Sequence, residues 1–131
     1  MKPVFTVDGR AYNVTVPDGG LKRSGKVLDG DKAGRLQTGK MERDIIGTYY
    51  NYTLQIETKN LNVAEYDALF ETLSAPVDSH VITVPYGQST LTFDAYVANV
   101  DDELMRVQED RNLWGKFAFT FTAMEPQRRP A

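Results

Sequence analysis

The chain has 131 residues, no cysteine and a formal net charge of −3. This length fits one domain with its own core, and the missing cysteine excludes disulfides, thiolate metal sites and a cysteine nucleophile. A negative charge argues against a general nucleic-acid binder, which normally presents a basic face. No segment approaches the ~18 apolar residues of a membrane span, so we expect a soluble intracellular domain.

Near the start of the chain, apolar and polar residues alternate with the period of a strand. VFTV and RAYNVTV flank Asp8 and Gly9, a dipeptide typical of a type I′ hairpin turn. In the second of these strands, Tyr12, Val14 and Val16 fall on one face. The sequence therefore predicts a hairpin with one buried side.

The most distinctive segment is the polar stretch of residues 26–44, which carries nine charged side chains. It leads into IIGTYYNYTLQIET, where β-branched and aromatic residues predict a strand. One face of that strand carries Tyr50, Tyr52, Leu54 and Ile56. Loops longer than ~12–15 residues are usually functional or disordered, so we interpret residues 26–44 as a long functional loop between two strands.

One helix is predicted at LNVAEYDALFETLSAP. Asn62 can cap its N-terminus, and Glu65 follows three residues later, as in a capping box. Pro76 ends it. The apolar stripe consists of Tyr66, Leu69, Phe70 and Leu73, which recur with helical spacing. We expect this stripe to pack on a sheet.

The last part of the chain predicts three more strands. HVITVPY and STLTFDAYVANV form a hairpin around Gly87 and Gln88, and LWGKFAFTFTAM follows after two expected turns, at residues 101–103 and 109–112. In the final strand the phenylalanines alternate with polar residues: Phe117, Phe119 and Phe121.

Together these elements predict a mainly β fold. The simplest arrangement is a β-sandwich or flattened barrel with one α-helix packed on it and a long polar loop between two strands. We expect a single β-rich domain over residues 1–125 and a disordered tail over residues 126–131.

The segment GRLQTGKM, residues 34–41, matches seven of the eight positions of a phosphate-binding loop. Met41 stands where a Ser or Thr hydroxyl should reach the magnesium ion. The flanking KVLDGDKA is too polar for a buried strand, and ERDIIGTYYNYT disfavours the helix that such a loop opens. We therefore predict no nucleotide.

The polar stretch of residues 26–44 also contains the start of a calcium-binding loop pattern, with Asp29, Asp31 and Gly34. Ala33 and Lys40 occupy positions that need oxygen ligands, so we predict no metal and no other cofactor. The Asp and Gly residues are explained by turn formation.

No group of residues predicts catalysis. The single histidine, His80, follows Ser79 directly, and neighbours in a strand point to opposite faces. A surface or strand-end histidine is the simpler interpretation, and the carboxylate pairs are explained by turns. We predict that the protein is not an enzyme.

The chain carries more aromatic side chains than one core needs. They include Trp114 and five strand tyrosines: Tyr49, Tyr50, Tyr52, Tyr86 and Tyr96. Exposed tyrosine and tryptophan are favoured at protein interfaces. Ordinary strand aromatics with hydroxyls reaching water are the alternative.

Three segments carry a resemblance to a known family: DIIGTYYNYTLQI, LSAPVDSHVITVPYGQSTLTFDAYV and WGKFAFTFTAMEPQR. The chain resembles the small tail structural proteins of long-tailed phages and prophages of Gram-positive bacteria, from FTVDGRAYNV through LKRSGKVLDGDKAGR to MEPQR. That family implies a strand-rich sandwich that assembles into rings, often hexameric, in the tail tube or distal tail.

The resemblance also implies partners and an interface. The partners would be the chain itself and other tail proteins, with DNA only as cargo passing through a channel and with no membrane. The protein would be made in the cytoplasm of the bacterial host and reside in the virion tail. The implied interface is the loop and the strand after it: Lys26, Asp29, Asp31, Arg35, Lys40, Arg43, Tyr49, Tyr50 and Tyr52.

A second function class fits the same sequence. A small ligand- or carbohydrate-binding β-domain at a tail tip would use Trp114 and tyrosines as stacking platforms for sugar rings. A structural tail subunit would form oligomers, whereas the binding domain would be a monomer that binds a glycan in a titration.

Overall fold

The computed structural model describes residues 3–130. The chain is mainly β, with 54% of residues in strands and 9% in helix. This confirms the predicted fold class, a β-sandwich or flattened barrel with one helix. Residues 1, 2 and 131, which belong to the predicted domain and tail, lie outside the described residues.

Ten strands and one helix make up the described chain. The strands are β1 (Thr6–Val7), β2 (Arg10–Ala11), β3 (Leu21–Asp29), β4 (Gly34–Arg35), β5 (Met41–Glu42), β6 (Ile45–Ile56), β7 (His80–Tyr86), β8 (Ser89–Tyr96), β9 (Val100–Gln108) and β10 (Arg111–Ala123), and helix α1 spans Val63–Leu73. The main sheet has the order β2-β1-β7-β8-β10-β6-β3, with β9 also paired to β10, and β4 pairs with β5 separately.

Strand β10 connects the two halves of the main sheet. Its end pairs with β8 through Thr122 and Ala123, while its middle pairs with β6 from Phe117 to Phe121. One half is therefore β2-β1-β7-β8 and the other is β9-β10-β6-β3. The core is formed by buried apolar side chains from both halves and from α1, the largest being Tyr52, Phe5, Phe117, Phe121, Leu54 and Leu69.

The two predicted hairpin turns are confirmed. Asp8 and Gly9 have φ values of 52° and 84°, the paired positive angles that a type I′ turn requires. Gly87 has φ 58° in the turn between β7 and β8. Both turns join strands whose pairing is regular.

The predicted helix is also confirmed, including its cap. The Glu65 amide donates to Asn62 Oδ1 at 2.8 Å. Leu69 and Leu73 are buried, and the half-buried Tyr66 packs edge-on against Phe117 with 5.4 Å between ring centroids. The stripe therefore fixes α1 on the sheet through aromatic and aliphatic contacts.

The turn predicted at residues 101–103 is wrong, because these residues lie in β9. The turn predicted at residues 109–112 is shorter, since Arg111 and Asn112 already belong to β10. Strand β9 is exposed along most of its length. A strand exposed to solvent on both faces lacks the alternation of apolar and polar residues from which strands are predicted.

The predicted loop of residues 26–44 is also shorter than expected. Lys26 to Asp29 continue β3, which pairs with β6 along its whole length. The connection spans residues 30–44 and contains the small β4–β5 ladder. A two-stranded ribbon exposed to solvent tolerates charged residues on both faces. The charged composition of residues 26–44 therefore suggested a loop where part of the segment is a strand.

The tail prediction is wrong for residues 126–128. Thr48 donates its amide to the Arg128 carbonyl at 2.9 Å, and the Gln127 amide donates to the Thr48 carbonyl at 3.0 Å. The tail therefore forms a short bridge beside β6. Its polar composition gave no sign of this tertiary contact.

Candidate assembly surfaces

Two hairpins extend beyond the core. Pairing between β10 and β6 ends at Phe121 and Tyr52, so residues 45–51 of β6 continue with β3 as a ribbon. Residues 111–116 of β10 pair with β9 alone. Because β6 and β10 are antiparallel, these N-terminal halves extend from opposite ends of the domain.

We define residues 21–51 as the basic arm and residues 100–116 as the acidic arm. The basic arm has seven Lys and Arg against four Asp and Glu, a net charge of +3. The acidic arm has five Asp and Glu against three Lys and Arg, a net charge of −2. The ends of the domain therefore differ in the sign of their charge.

Both arms also expose large apolar side chains. On the acidic arm Val107 is 64% exposed and Trp114 is 45% exposed. The set comprises Val27, Leu36, Met41, Ile45 and Ile46 on the basic arm and Leu104, Met105, Val107 and Trp114 on the acidic arm. Clustered exposed apolar residues rimmed by polar ones are typical of protein interaction sites.

Each arm ends the sheet with a strand that has one unpaired edge within the described chain. Strand β3 pairs only with β6, and β9 pairs only with β10. Each of these edge strands is nine residues long. An open edge of this kind can pair with another chain unless it is protected.

An ion pair joins the two ends of residues 30–44, which form the tip of the basic arm. Arg43 Nε lies 2.9 Å from Asp29 Oδ1 and 3.0 Å from Oδ2. The Arg43 guanidinium lowers the pKa of Asp29, and the carboxylate in turn raises the pKa of Arg43. The Asp44 amide also donates to Asp29 Oδ1, at 3.2 Å.

The remaining charged residues of the predicted interface are exposed on the same arm. Arg35 Nη1 donates to the Gly39 carbonyl at 3.0 Å, while Asp31 and Lys40 face solvent at the tip. Lys26 is exposed on β3 opposite Tyr49. The structure thus brings these predicted residues together on one projection.

The assignment of Tyr52 to the interface is wrong. Tyr52 is completely buried, and its hydroxyl donates to the Pro85 carbonyl at 2.9 Å. Burial raises the pKa of Tyr52. Its position on the same strand face as Leu54 and Ile56 already indicated a core residue.

Tyr49 and Tyr50 are half-buried at the base of the basic arm. The Tyr86 hydroxyl donates to the Tyr50 hydroxyl at 3.1 Å. This contact, with a further contribution from Arg128, lowers the pKa of Tyr50. Arg23 lies over the Tyr86 ring, 5.1 Å from its centroid.

Sequence reasoning missed the tail segment 126–128, which we call the strap. Beyond its backbone contacts, the Gln127 amide group bonds twice to the backbone of Tyr50. The only available signal was Gly47, because glycine within a strand often marks close approach of another backbone.

An open groove of about 1140 Å³ lies between α1 and the base of the acidic arm. Its lining includes Tyr66, Asp67, Asn112, Leu113, Trp114 and Lys116. The Tyr66 hydroxyl donates to Asp102 Oδ2 at 2.7 Å. Burial is the main cause that raises the pKa of Tyr66, and the hydrogen bond to Asp102 raises it further. The groove offers one exposed indole among side chains of both charges and an amide.

His80 contributes to the fold through a contact with Asp8. It begins β7, as expected for a strand-end histidine, but it is buried. Its Nδ1 lies 2.7 Å from Asp8 Oδ2, and the Val81 amide donates to Asp8 Oδ1 at 2.9 Å. The His80 contact lowers the pKa of Asp8. The pair ties the first turn to β7.

Among residues 3–130, no cluster of three or more His, Cys, Asp or Glu side chains is arranged to hold a metal ion. Within the same range, the single helix is too short and too polar to cross a bilayer. Comparisons with protein-family models, curated proteins and solved structures identify no match for this chain.

Proposed function

We propose that the protein is a structural, non-enzymatic subunit of a phage or prophage tail that assembles with copies of itself into a ring. Its position would be the tail tube or the distal tail and baseplate region. The observation that carries the proposal is the pair of oppositely charged arms, each ending in an unpaired strand of nine residues. The sequence resemblance supplies the tail context.

The strand directions support edge-to-edge joining of copies. Strand β3 runs parallel to β10, because both are antiparallel to β6, whereas β9 runs antiparallel to β10. Strand β3 of one copy would therefore meet β9 of a similarly oriented neighbour in the antiparallel sense, which is the more stable pairing. Such a contact joins two different surfaces, so repeating it builds a ring where the rotation closes and a helical filament where it does not. Leu21 and Val100 lie level with each other across the sheet, and β3 and β9 extend from that level in opposite directions, so joined copies would be offset along the strands.

The charges support the same pairing. Lys22 and Lys26 are exposed on β3, and Asp101 and Glu103 are exposed on β9. Opposite charges across two strands contribute roughly 0.2–1 kcal/mol per pair. Two copies joined through like edges would instead place like charges together. The charge distribution therefore favours head-to-tail contact.

Charge reversal tests this proposal. We expect the wild type to form oligomers, and we expect Lys22→Glu/Lys26→Glu and Asp101→Lys/Glu103→Lys each to reduce the mass measured by light scattering. Mixing the two variants should restore oligomers, because every junction then regains opposite charges. The control, Glu71→Lys/Asp78→Lys, changes exposed residues outside the arms.

Failure of the mixture to regain mass would contradict edge pairing through these charges. If either double variant on its own kept the wild-type mass, edge pairing through these charges would be contradicted as well. Circular dichroism on each variant would verify that the β signal is intact, so that loss of mass reports association.

A second candidate function is a carbohydrate-binding domain at a tail tip. The groove at the base of the acidic arm favours it, because Trp114 is exposed there beside Asn112 and Asp67. An indole face can stack on a sugar ring, and amide and carboxylate groups can bond its hydroxyls.

Glycan titration by calorimetry tests this candidate. Binding that disappears in Trp114→Ala but persists in Tyr96→Ala would support it, since Tyr96 is a comparably exposed aromatic outside the groove. No heat with neutral oligosaccharides would contradict it. A change in oligomeric mass for Trp114→Ala without glycan binding would assign the indole to self-assembly.

A further inference from the structure

Four polar side chains from different parts of the chain meet at the base of the basic arm. Tyr50 lies on β6 and Tyr86 ends β7, and their rings pack edge to face with centroids 5.2 Å apart. Arg23 on β3 lies over the Tyr86 ring, and Arg128 of the strap lies beside the Tyr50 hydroxyl. We propose that these four side chains form a binding site for a phosphate group.

Strand register places Arg23 and Tyr50 on one face of the ribbon. In the ladder between β3 and β6, Gly25 lies opposite Tyr50. Arg23 is two residues before Gly25, and both opposed residues and residues two apart in a strand share a face. A Cβ on Gly25 would lie 3.3 Å from Tyr50 Cε1. The Tyr50 ring therefore rests against the backbone of β3, the strand that carries Arg23.

The strap brings the second guanidinium to the same face. Arg128 forms a bridge pair with Thr48, which is two residues before Tyr50 on β6. The Gln127 amide group holds the strap there, because it bonds to the amide and the carbonyl of Tyr50, both at 2.9 Å. Arg128 is thus positioned by contacts of its neighbours, which leaves its own side chain available to a ligand.

The cluster presents hydrogen-bond donors that lack an acceptor. The Tyr86 hydroxyl donates to the Tyr50 hydroxyl at 3.1 Å, which leaves Tyr50 its own hydrogen to donate. Within residues 3–130, neither Arg23 nor Arg128 forms an ion pair with a carboxylate. Guanidinium groups are donors only. The complementary ligand is therefore one that supplies acceptors and negative charge.

Both guanidiniums act on the tyrosine pair. The hydrogen bond from Tyr86 is the main cause that lowers the pKa of Tyr50, followed by the contact with Arg128, and the charge of Arg23 lowers it as well. On Tyr86, the same two charges oppose the rise in pKa that the Tyr50 contact causes. The two positive charges thus converge on one pair of hydroxyls and favour negative charge beside it.

A phosphate group matches these donors better than a carboxylate does. Its dianion balances two guanidinium charges, and its oxygens suffice for Arg23, Arg128 and the Tyr50 hydroxyl together. Guanidinium groups also bind phosphate oxygens in pairs, through two parallel N–H donors. Inorganic phosphate and a nucleic-acid backbone both supply this chemistry. The site is complete within one chain, so it goes beyond the proposed function and does not depend on assembly.

Titration of the isotope-labelled protein with inorganic phosphate tests the site, with chloride at equal ionic strength as the reference. We expect saturable shifts of the Tyr50 and Arg128 amide signals that chloride does not cause. Arg23→Gln should weaken phosphate binding about tenfold or more, because charge-assisted hydrogen bonds are lost. Arg10→Gln is the matched control, since Arg10 also lies over a tyrosine ring, 4.9 Å from the centroid of Tyr12.

Thermal unfolding provides a second readout. A ligand that binds the folded chain raises its stability. Phosphate should therefore raise the unfolding midpoint of Arg10→Gln by more than that of Arg23→Gln or Tyr50→Phe. Comparison between variants removes the general stabilising effect of phosphate as a salt.

Shifts that chloride reproduces would overturn the inference, as would equal phosphate affinity in Arg23→Gln and Arg10→Gln. A short DNA duplex that displaces phosphate from the wild type would support the site and assign it to nucleic-acid phosphates. A duplex that leaves phosphate bound would support the site and assign it to the free ion.

Discussion

Arg43 Nε lies 2.9 Å and 3.0 Å from the two carboxylate oxygens of Asp29, across the base of residues 30–44. The pair joins the end of β3 to the residue two positions before β6 begins. A second tie runs beside it, where the Gly30 amide donates to the Asp44 carbonyl at 2.7 Å. These contacts hold the tip of the basic arm to the ribbon that carries it.

Removal of the ion pair should loosen the tip without affecting the core. We expect Arg43→Ala to accelerate amide hydrogen exchange at Gly30 and Asp44 while the unfolding midpoint stays near that of the wild type. The Arg43 side chain is 45% exposed and that of Asp29 is 24% exposed, so solvent screens the pair and it contributes little to global stability. Lys40→Ala is the matched control. Unchanged exchange at both amides would show that the ion pair does not hold the tip.

Tyr52→Phe should destabilise the whole domain. The substitution removes the hydroxyl that donates to the part-buried Pro85 carbonyl. A hydrogen bond of this kind contributes about 0.5–1.5 kcal/mol, measurable in urea unfolding. Tyr96→Phe, at an exposed position, should change the free energy of unfolding far less. Equal effects of the two substitutions would contradict the core assignment of Tyr52.

Gly47→Ala should displace the strap. The added methyl group would collide with the Arg128 carbonyl and Pro126. We expect faster amide exchange at Thr48 and Arg128, and a lower free energy of unfolding. Gly34→Ala is the matched control, because a Cβ there meets nothing within 4 Å. Preserved protection at Thr48 in the Gly47→Ala variant would mean that the edge is protected by something other than the strap.

The contact between Asp8 and His80 should make stability depend on pH in the acid range. The His80 contact lowers the pKa of Asp8 from 3.8, so the folded state favours the ionised carboxylate. The stabilisation is therefore full above the unfolded pKa and is lost as pH falls through the lower folded value. Asp8→Asn should be less stable than wild type at neutral pH, and this difference should narrow below pH 3.8. An equally large difference at every pH, in urea unfolding with Asp78→Asn as control, would contradict this linkage.

Sequence reasoning succeeded where the signal is local. The Asp8-Gly9 turn needs two residues that accept positive φ, and the cap of α1 needs Asn62 before its first turn. The alternation of Phe117, Phe119 and Phe121 follows from one buried face of β10, and these residues lie in the core as expected. Each of these features depends on neighbours within a few positions of the chain.

Prediction failed where a partner distant in sequence stabilises the element. Strand β9 carries Asp101 and Glu103 yet pairs along β10, and β3 carries Lys26 yet pairs along β6. Their ladder partners, rather than a buried face, hold them extended. The strap depends on the Gln127 side chain finding Tyr50, 77 positions away, which no local pattern reveals.

Self-assembly through the two arms is tested by the molar mass of the purified protein, measured by light scattering across concentration and salt. We expect a mass that is a multiple of the 14.7 kDa chain and rises with concentration. It should fall when ionic strength is raised from about 0.01 M to about 1 M, because the screening length then shortens from about 30 Å to about 3 Å. A mass of 14.7 kDa at every concentration and salt would contradict self-assembly through the two arms.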